Sequence, residues 1–235
     1  MNEINKLFSP QDIARMIDIS AVRADSTDTT IEEVVRRATK YDCYLVTILP
    51  SQTMRAKKLL EGCEFPKIGG NVGFPSGGQT THVKVMETRE LIGIGVDEID
   101  MVIDVAAHLS GRYKDVLNDM RAVIEAAEGK PVKTILECNY LNDDQIRVGC
   151  DLAIEAGATF VKTGTGWAPS GATLENVTLI KQHVGNRIKI KASGGIRNIE
   201  TLIEMYRRGA TRFGISLASA SKILDSAIGL NYPII

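Results

Sequence analysis

The sequence is poor in the features that mark several protein classes. Aromatic residues make up only 5% of its 235 residues, and it has just 7 prolines and 4 cysteines. No run of about 18 apolar residues occurs, so no membrane-spanning helix is expected. Neither sign of charge dominates: Lys+Arg 28 against Asp+Glu 29 leave a net charge of -1, without the basic excess that a nucleic-acid backbone or an anionic membrane selects. Cys43, Cys63, Cys138 and Cys150 show no CxxC spacing and are too sparse for a disulfide framework. They are read as reduced thiols of a cytoplasmic protein. His82, His108 and His183 form neither HxH nor HExxH, and no GxGxxG follows the first strand-like run. Neither a metal, another cofactor nor a dinucleotide fold is therefore expected. Residues 1–20 contain no apolar leader core, so export is not expected either. A small-molecule partner is the reading that remains.

The rest of the composition, 44% hydrophobic and 24% charged, is that of an ordinary globular protein. Short β-like runs alternate with stretches of helical spacing. This predicts strands at Ala14–Ile19, Tyr44–Leu49, Lys67–Val72, Glu98–Ile103, Val132–Cys138, Thr159–Thr163, Ile188–Ala192 and Arg212–Ile215. Helices are predicted near Ile31–Tyr41, Ser51–Glu61, Thr80–Gly93, Tyr113–Ala127, Asp143–Ala156, Leu174–Val184, Ile199–Arg208 and Ser216–Ile228. Three of the helix-to-strand turns share a pattern: Gly95-Val96-Asp97, Gly157-Ala158-Thr159 and Gly209-Ala210-Thr211. Such recurrence fits repeated βα units. The expected α/β architecture is one (β/α)8 TIM barrel domain over residues 1–235.

A parallel barrel strand is buried on both faces, against helices on one side and in the barrel interior on the other. Charges inside such strands need an explanation. With Ile99, Met101 and Ile103 toward the helices, Glu98 and Asp100 turn inward. The same parity lets Lys133, Ile135 and Glu137 share the interior face, pairs Lys162 with Phe160, and turns Lys189 and Lys191 inward. Glu98 and Lys189 lie near strand starts and are read as structural ion-pair formers. Lys162 and Lys191 lie next to Gly-rich turns at strand C-termini, where barrel chemistry sits. Burial and a neighbouring cation both disfavour a charged ammonium, leaving a neutral amine that attacks carbonyls. Lys162 and Lys191, with Asp100 to move protons, supply the parts of a Schiff-base enzyme.

VGFPSG (Val72–Gly77), DEIDMVID (Asp97–Asp104), KTILE (Lys133–Glu137), FVKTGTG (Phe160–Gly166), GAT (Gly171–Thr173), IKASGGIR (Ile190–Arg197) and RFGIS (Arg212–Ser216) occur in one collinear series. This series resembles the 2-deoxyribose-5-phosphate aldolase family. The resemblance implies that Lys162 forms the Schiff base, Lys191 depresses its pKa, Asp100 is the acid/base working through a water, and Lys133 supports the network. It further implies a metal-free, reversible condensation of acetaldehyde with glyceraldehyde 3-phosphate to 2-deoxyribose 5-phosphate, in a homodimer.

Barrels often hold phosphate in the loops after strands seven and eight and at a helix N-terminus. Gly194, Gly195, Gly214 and Ser216 fall there, with Arg197 nearby; Thr165 and Gly166 are further substrate-binding candidates. Thr47, Leu49 and Ser20 are expected on the pocket rim. The rim departs from the family: Asp18-Ile19-Ser20 replaces Asp-X-Thr, Val22-Arg23-Ala24 replaces Leu-Lys-Pro, Leu49 replaces a polar residue, and KTSTGF reads Lys162-Thr163-Gly164-Thr165-Gly166-Trp167. Three alternatives stay open: a Schiff-base aldolase of this barrel family on another sugar phosphate or aldehyde pair, a phosphosugar isomerase or epimerase, and a silent sugar-phosphate sensor.

Overall fold

Eight parallel strands close into a barrel in this computed structural model, which describes residues 7–228 and 232–233. The strands in chain order are β1 (Leu7–Phe8), the barrel strands β2 (Ile17–Ala21), β3 (Leu45–Ile48), β4 (Lys67–Val72), β5 (Glu98–Val102), β6 (Val132–Ile135), β7 (Phe160–Lys162), β8 (Lys189–Ser193) and β9 (Arg212–Ser216), and finally β10 (Tyr232–Pro233). The helices are α1 (Pro10–Ala14), α2 (Asp28–Tyr41), α3 (Pro50–Leu59), α4 (Thr81–Ile94), α5 (Val105–Leu109), α6 (Tyr113–Ala126), α7 (Asp143–Ala156), α8 (Leu174–Val184), α9 (Ile199–Arg207) and α10 (Leu217–Ala227). Strand β2 pairs with β9 and closes the ring, while β1 and β10 form a short antiparallel pair. Among the described residues no helix is long and apolar enough to cross a membrane.

Local chemistry sets these boundaries. In α2, Ile31, Val34, Val35 and Ala38 bury one helical face, Thr27 caps the N-terminus, and Asp42 ends the helix in the left-handed region at φ 58. In α7 the Asn142 side chain accepts from the Gln145 N–H, and Gly157 ends the helix at φ 86. Strand β5 shows the two-faced burial of a barrel strand: Ile99 and Met101 join the apolar layer beneath the helices, while Asp100 lies among charged groups inside.

Several boundaries differ from the sequence expectation. The first barrel strand is Ile17–Ala21, not Ala14–Ile19, because Ile13 and Ala14 belong to α1, opened by a Ser9–Asp12 capping box. Helix α5 and the 3-10 turn at Cys138–Tyr140 were not expected; each is too short to show a helical period. Strand β6 stops at Ile135, and Glu137 leaves the extended conformation at φ 55.

Candidate active site

Strand register sets charged residues side by side. Asp100 lies opposite Lys133, Lys162 opposite Lys191, and Lys191 opposite Arg212. Asp100 is the hub: its Oδ1 accepts from Lys133 Nζ at 2.6 Å, and its Oδ2 accepts from Lys162 Nζ at 2.7 Å and Lys191 Nζ at 2.8 Å. Below this hub, Lys133 pairs with Glu98 at 2.6 Å, Lys191 with Asp18 at 2.5 Å, and Arg212 with Asp18 at 2.9 Å and Glu98 at 3.3 Å. The Arg212 guanidinium also stacks over Tyr44, 3.5 Å from the ring centroid.

The network holds three carboxylates, Asp18, Glu98 and Asp100, against four basic groups, Lys133, Lys162, Lys191 and Arg212. One basic group is therefore in excess. Lys133 contacts three of the carboxylates within 4.0 Å and Lys191 two, but Lys162 has Asp100 alone. Lys162 is accordingly the least compensated amine of the network. Burial, and then Lys191 beside it, pull its pKa down to about 8 against the opposing pull of Asp100. Burial by itself would raise the Asp100 carboxyl, yet Lys133, Lys162 and Lys191 hold it well below the usual carboxylate range. For Lys133 burial acts downward, and Asp100, Asp18 and Glu98 outweigh it and keep the ammonium charged.

Two cavities that share lining residues open at this mouth. The inner one, about 10 Å³, reaches Lys162 and Lys191 between Thr47, Asn71 and Phe74; that is space for about one water-sized molecule. The outer cleft measures about 320 Å³, and shares Ser20, Val22, Thr165, Ser193 and Gly214 with the inner one. Gly194 and Gly195 line the cleft at φ 89 and 77, conformations open to glycine at little cost. A Cβ on Gly214 would collide with Ser193 Oγ. Ser216 caps α10 without bonding a backbone N–H of the helix, its hydroxyl donating instead to Ser219 Oγ at 3.3 Å, so the first-turn N–H groups of Leu217, Ala218 and Ser219 border the cleft as donors suited to an anion.

The expected residues fall in different places. Lys162, Lys191, Asp100 and Lys133 meet in one network, while Thr165, Gly166, Gly194, Gly195, Gly214, Ser216 and Arg197 line the outer cleft. Thr47 lines the inner cavity, its hydroxyl accepting from Asn71 Nδ2 at 3.0 Å, and Ser20 lines both cavities. Leu49 is not a rim residue; as N-cap of α3 it is half-buried and lines neither cavity. Glu137 does not join the lysines, because its left-handed backbone turns the carboxylate to the Thr165 N–H and hydroxyl. Lys189 is no member of the interior network either. As the first residue of β8 it is exposed, its ammonium 5.5 Å from the Phe160 ring centroid. Sequence reading placed Asp18 on the altered rim rather than in the charged network and missed Arg212 and Asn71 as site residues; their signal was polarity at inward positions of β2, β9 and β4.

A closed parallel barrel with buried lysines at its C-terminal mouth, beneath an anion-suited cleft, defines a barrel enzyme. The comparisons narrow that class. The chain belongs to the DeoC/LacD family of aldolases, whose match spans residues 13–218, and it is thus a lyase. It is 45% identical to the deoxyribose-phosphate aldolase of Klebsiella pneumoniae subsp. pneumoniae over 226 residues, covering 95% of this chain and 89% of that one. Against the deoxyribose-phosphate aldolase of Rhizobium meliloti the identity is 40% over 223 residues, 95% of this chain and 90% of that one. The tetrameric deoxyribose phosphate aldolase of Aeropyrum pernix superposes with a TM-score of 0.86 at 28% identity, covering 94% of this chain and 93% of that one.

Proposed function

We propose that the protein cleaves 2-deoxyribose 5-phosphate reversibly to acetaldehyde and glyceraldehyde 3-phosphate through an imine on Lys162. One observation carries the reading: the least compensated buried amine of the network, with a pKa of about 8, opens into a water-sized chamber beneath an anion-suited cleft. The neutral amine adds to the C1 aldehyde of the open-chain sugar, and loss of water gives an iminium that withdraws electrons from C2. Loss of the 3-hydroxyl proton then breaks the C2–C3 bond, releasing the phosphorylated aldehyde and leaving an enamine. Protonation at C2 and hydrolysis return acetaldehyde and the amine. Asp100, in contact with Lys162 and Lys191, relays protons between them and a water in the inner cavity.

The names of the relatives at 45% and 40% identity support this substrate. The reading takes residues 1–235 as one domain, in a cytoplasmic homodimer; light scattering decides between that dimer and the tetramer named for the Aeropyrum pernix protein. The direct test is borohydride reduction in the presence of acetaldehyde, read by intact mass and peptide mapping, beside cleavage assays on 2-deoxyribose 5-phosphate, free deoxyribose and other sugar phosphates. Adduct on Lys162 and preference for 2-deoxyribose 5-phosphate are expected. Adduct elsewhere rejects the mechanism. Turnover confined to another sugar phosphate rejects the substrate and keeps the lysine chemistry.

A further inference from the structure

The outer cleft is lined by two arginines, Arg23 and Arg197, and by no carboxylate. Arg23 comes from the loop after β2, on the side of the barrel where β2 meets β9. Its guanidinium lies over the Trp167 ring, 4.4 Å from the centroid, and Trp167 Nε1 donates to the Val22 carbonyl at 3.0 Å. The Phe74 ring stands perpendicular to the same indole, with ring centroids 6.2 Å apart. The indole is thus fixed from two sides and serves as a rail for the guanidinium.

Stacking uses the flat face of an arginine and leaves its N–H fork free in the plane. Among the described residues no carboxylate pairs with that fork, although Arg23 borders the cleft into which the α10 N-terminus points. A tetrahedral dianion is the ligand that matches a planar fork on one side and backbone N–H groups on the other.

We propose that Arg23, held by Trp167, is a specificity-determining residue that clamps the phosphate of the substrate from the β2 side of the cleft. This rests on the sugar-phosphate reading above. The clamp adds charge-assisted hydrogen bonds that an unphosphorylated sugar cannot form, so it acts on the preference for the phosphorylated substrate.

The test compares kcat/KM for 2-deoxyribose 5-phosphate with that for free deoxyribose. In Arg23→Gln the ratio falls about tenfold or more, mainly through KM of the phosphorylated sugar. Arg23→Lys keeps part of it, having the charge without the fork. Trp167→Leu lowers the ratio less, and adding Arg23→Gln to it costs less than Arg23→Gln alone, the coupling expected of a supported pair. A ratio unchanged in Arg23→Gln, or lowered only by Arg197→Gln, overturns the proposal. If the wild-type protein cleaves neither sugar, the aldolase reading fails and the clamp is judged by calorimetry with inorganic phosphate. Binding weakened about tenfold in Arg23→Gln then supports it, and equal affinity overturns it.

Discussion

Lys162 and Lys191 share one oxygen: Asp100 Oδ2 stands 2.7 Å from the first Nζ and 2.8 Å from the second. A proton leaving Lys162 therefore has an acceptor in contact with a second amine, with no solvent gap to cross. The same geometry sets the two lysines against each other electrostatically. Only one of them can be discharged without leaving the three carboxylates of the network short of counter-charge.

Lys162→Met is expected to abolish borohydride trapping and to lower turnover by roughly a thousandfold or more, the scale of losing a covalent nucleophile. The variant should also be more stable than wild type at neutral pH. A buried amine whose folded pKa of about 8 lies below its usual 10.5 is costly when protonated, and that cost is full below pH 8 and fades as pH rises toward 10.5. Urea unfolding at neutral and alkaline pH checks the sign.

Imine formation needs the neutral amine, so kcat/KM should rise with pH, pass half its maximum near 8 and level off above that. Lys191→Met removes a cation that presses the Lys162 pKa down and frees Asp100 to hold its proton. The acid limb should move to higher pH, and activity should recover in part on alkaline titration. A large loss with the limb in place would make Lys191 a direct proton donor instead.

Asp100→Asn should nearly stop exchange of solvent deuterium into the methyl group of acetaldehyde, followed by proton NMR. The variant should also lose stability, on the order of 3–5 kcal/mol, because three amines lose their common counter-ion. Retained exchange in a folded variant would exclude Asp100 from the proton path.

Arg212 lies at the far layer of the network, and Arg212→Met should act on folding before catalysis. Asp18 and Glu98 would each lose a partner, with a similar loss of about 3–5 kcal/mol in urea unfolding. Asp18 is held below its usual pKa by Lys191, Lys133 and Arg212 against the upward pull of burial. Its contribution is thus complete above about pH 4 and is lost as pH falls through the lowered value. The variant should lose part of that acid-dependent stability.

Most barrel strands were legible because a buried parallel strand writes its parity plainly: Ile99 and Met101 out, Asp100 in. That parity also brings Lys133, Lys162 and Lys191 onto one face. Asp18 lay within the expected first strand and its triplet but was not turned toward the lysines, because Ala14, from which that strand was read, belongs with Ile13 to a helix opened by the Ser9 capping box and carries no strand parity. Glu137 was misplaced because alternation holds only while the backbone stays extended, and here it turns left-handed at φ 55. Lys189 has the right parity but the wrong depth. Sequence periodicity reports the face of a strand and not the distance from the barrel mouth. Arg23 could not be weighed at all from its neighbours in sequence, since its partner Trp167 is brought to it only by barrel closure.

The unequal sizes of the two cavities also impose a schedule. A molecule anchored by its phosphate in the cleft of about 320 Å³ stoppers the chamber of about 10 Å³ below it, where the reactive nitrogen sits. On the proposed imine chemistry, the two-carbon aldehyde would then enter before its phosphorylated partner in synthesis and leave after it in cleavage. The mouth of the barrel would thereby set an order of traffic, which product-inhibition kinetics reads.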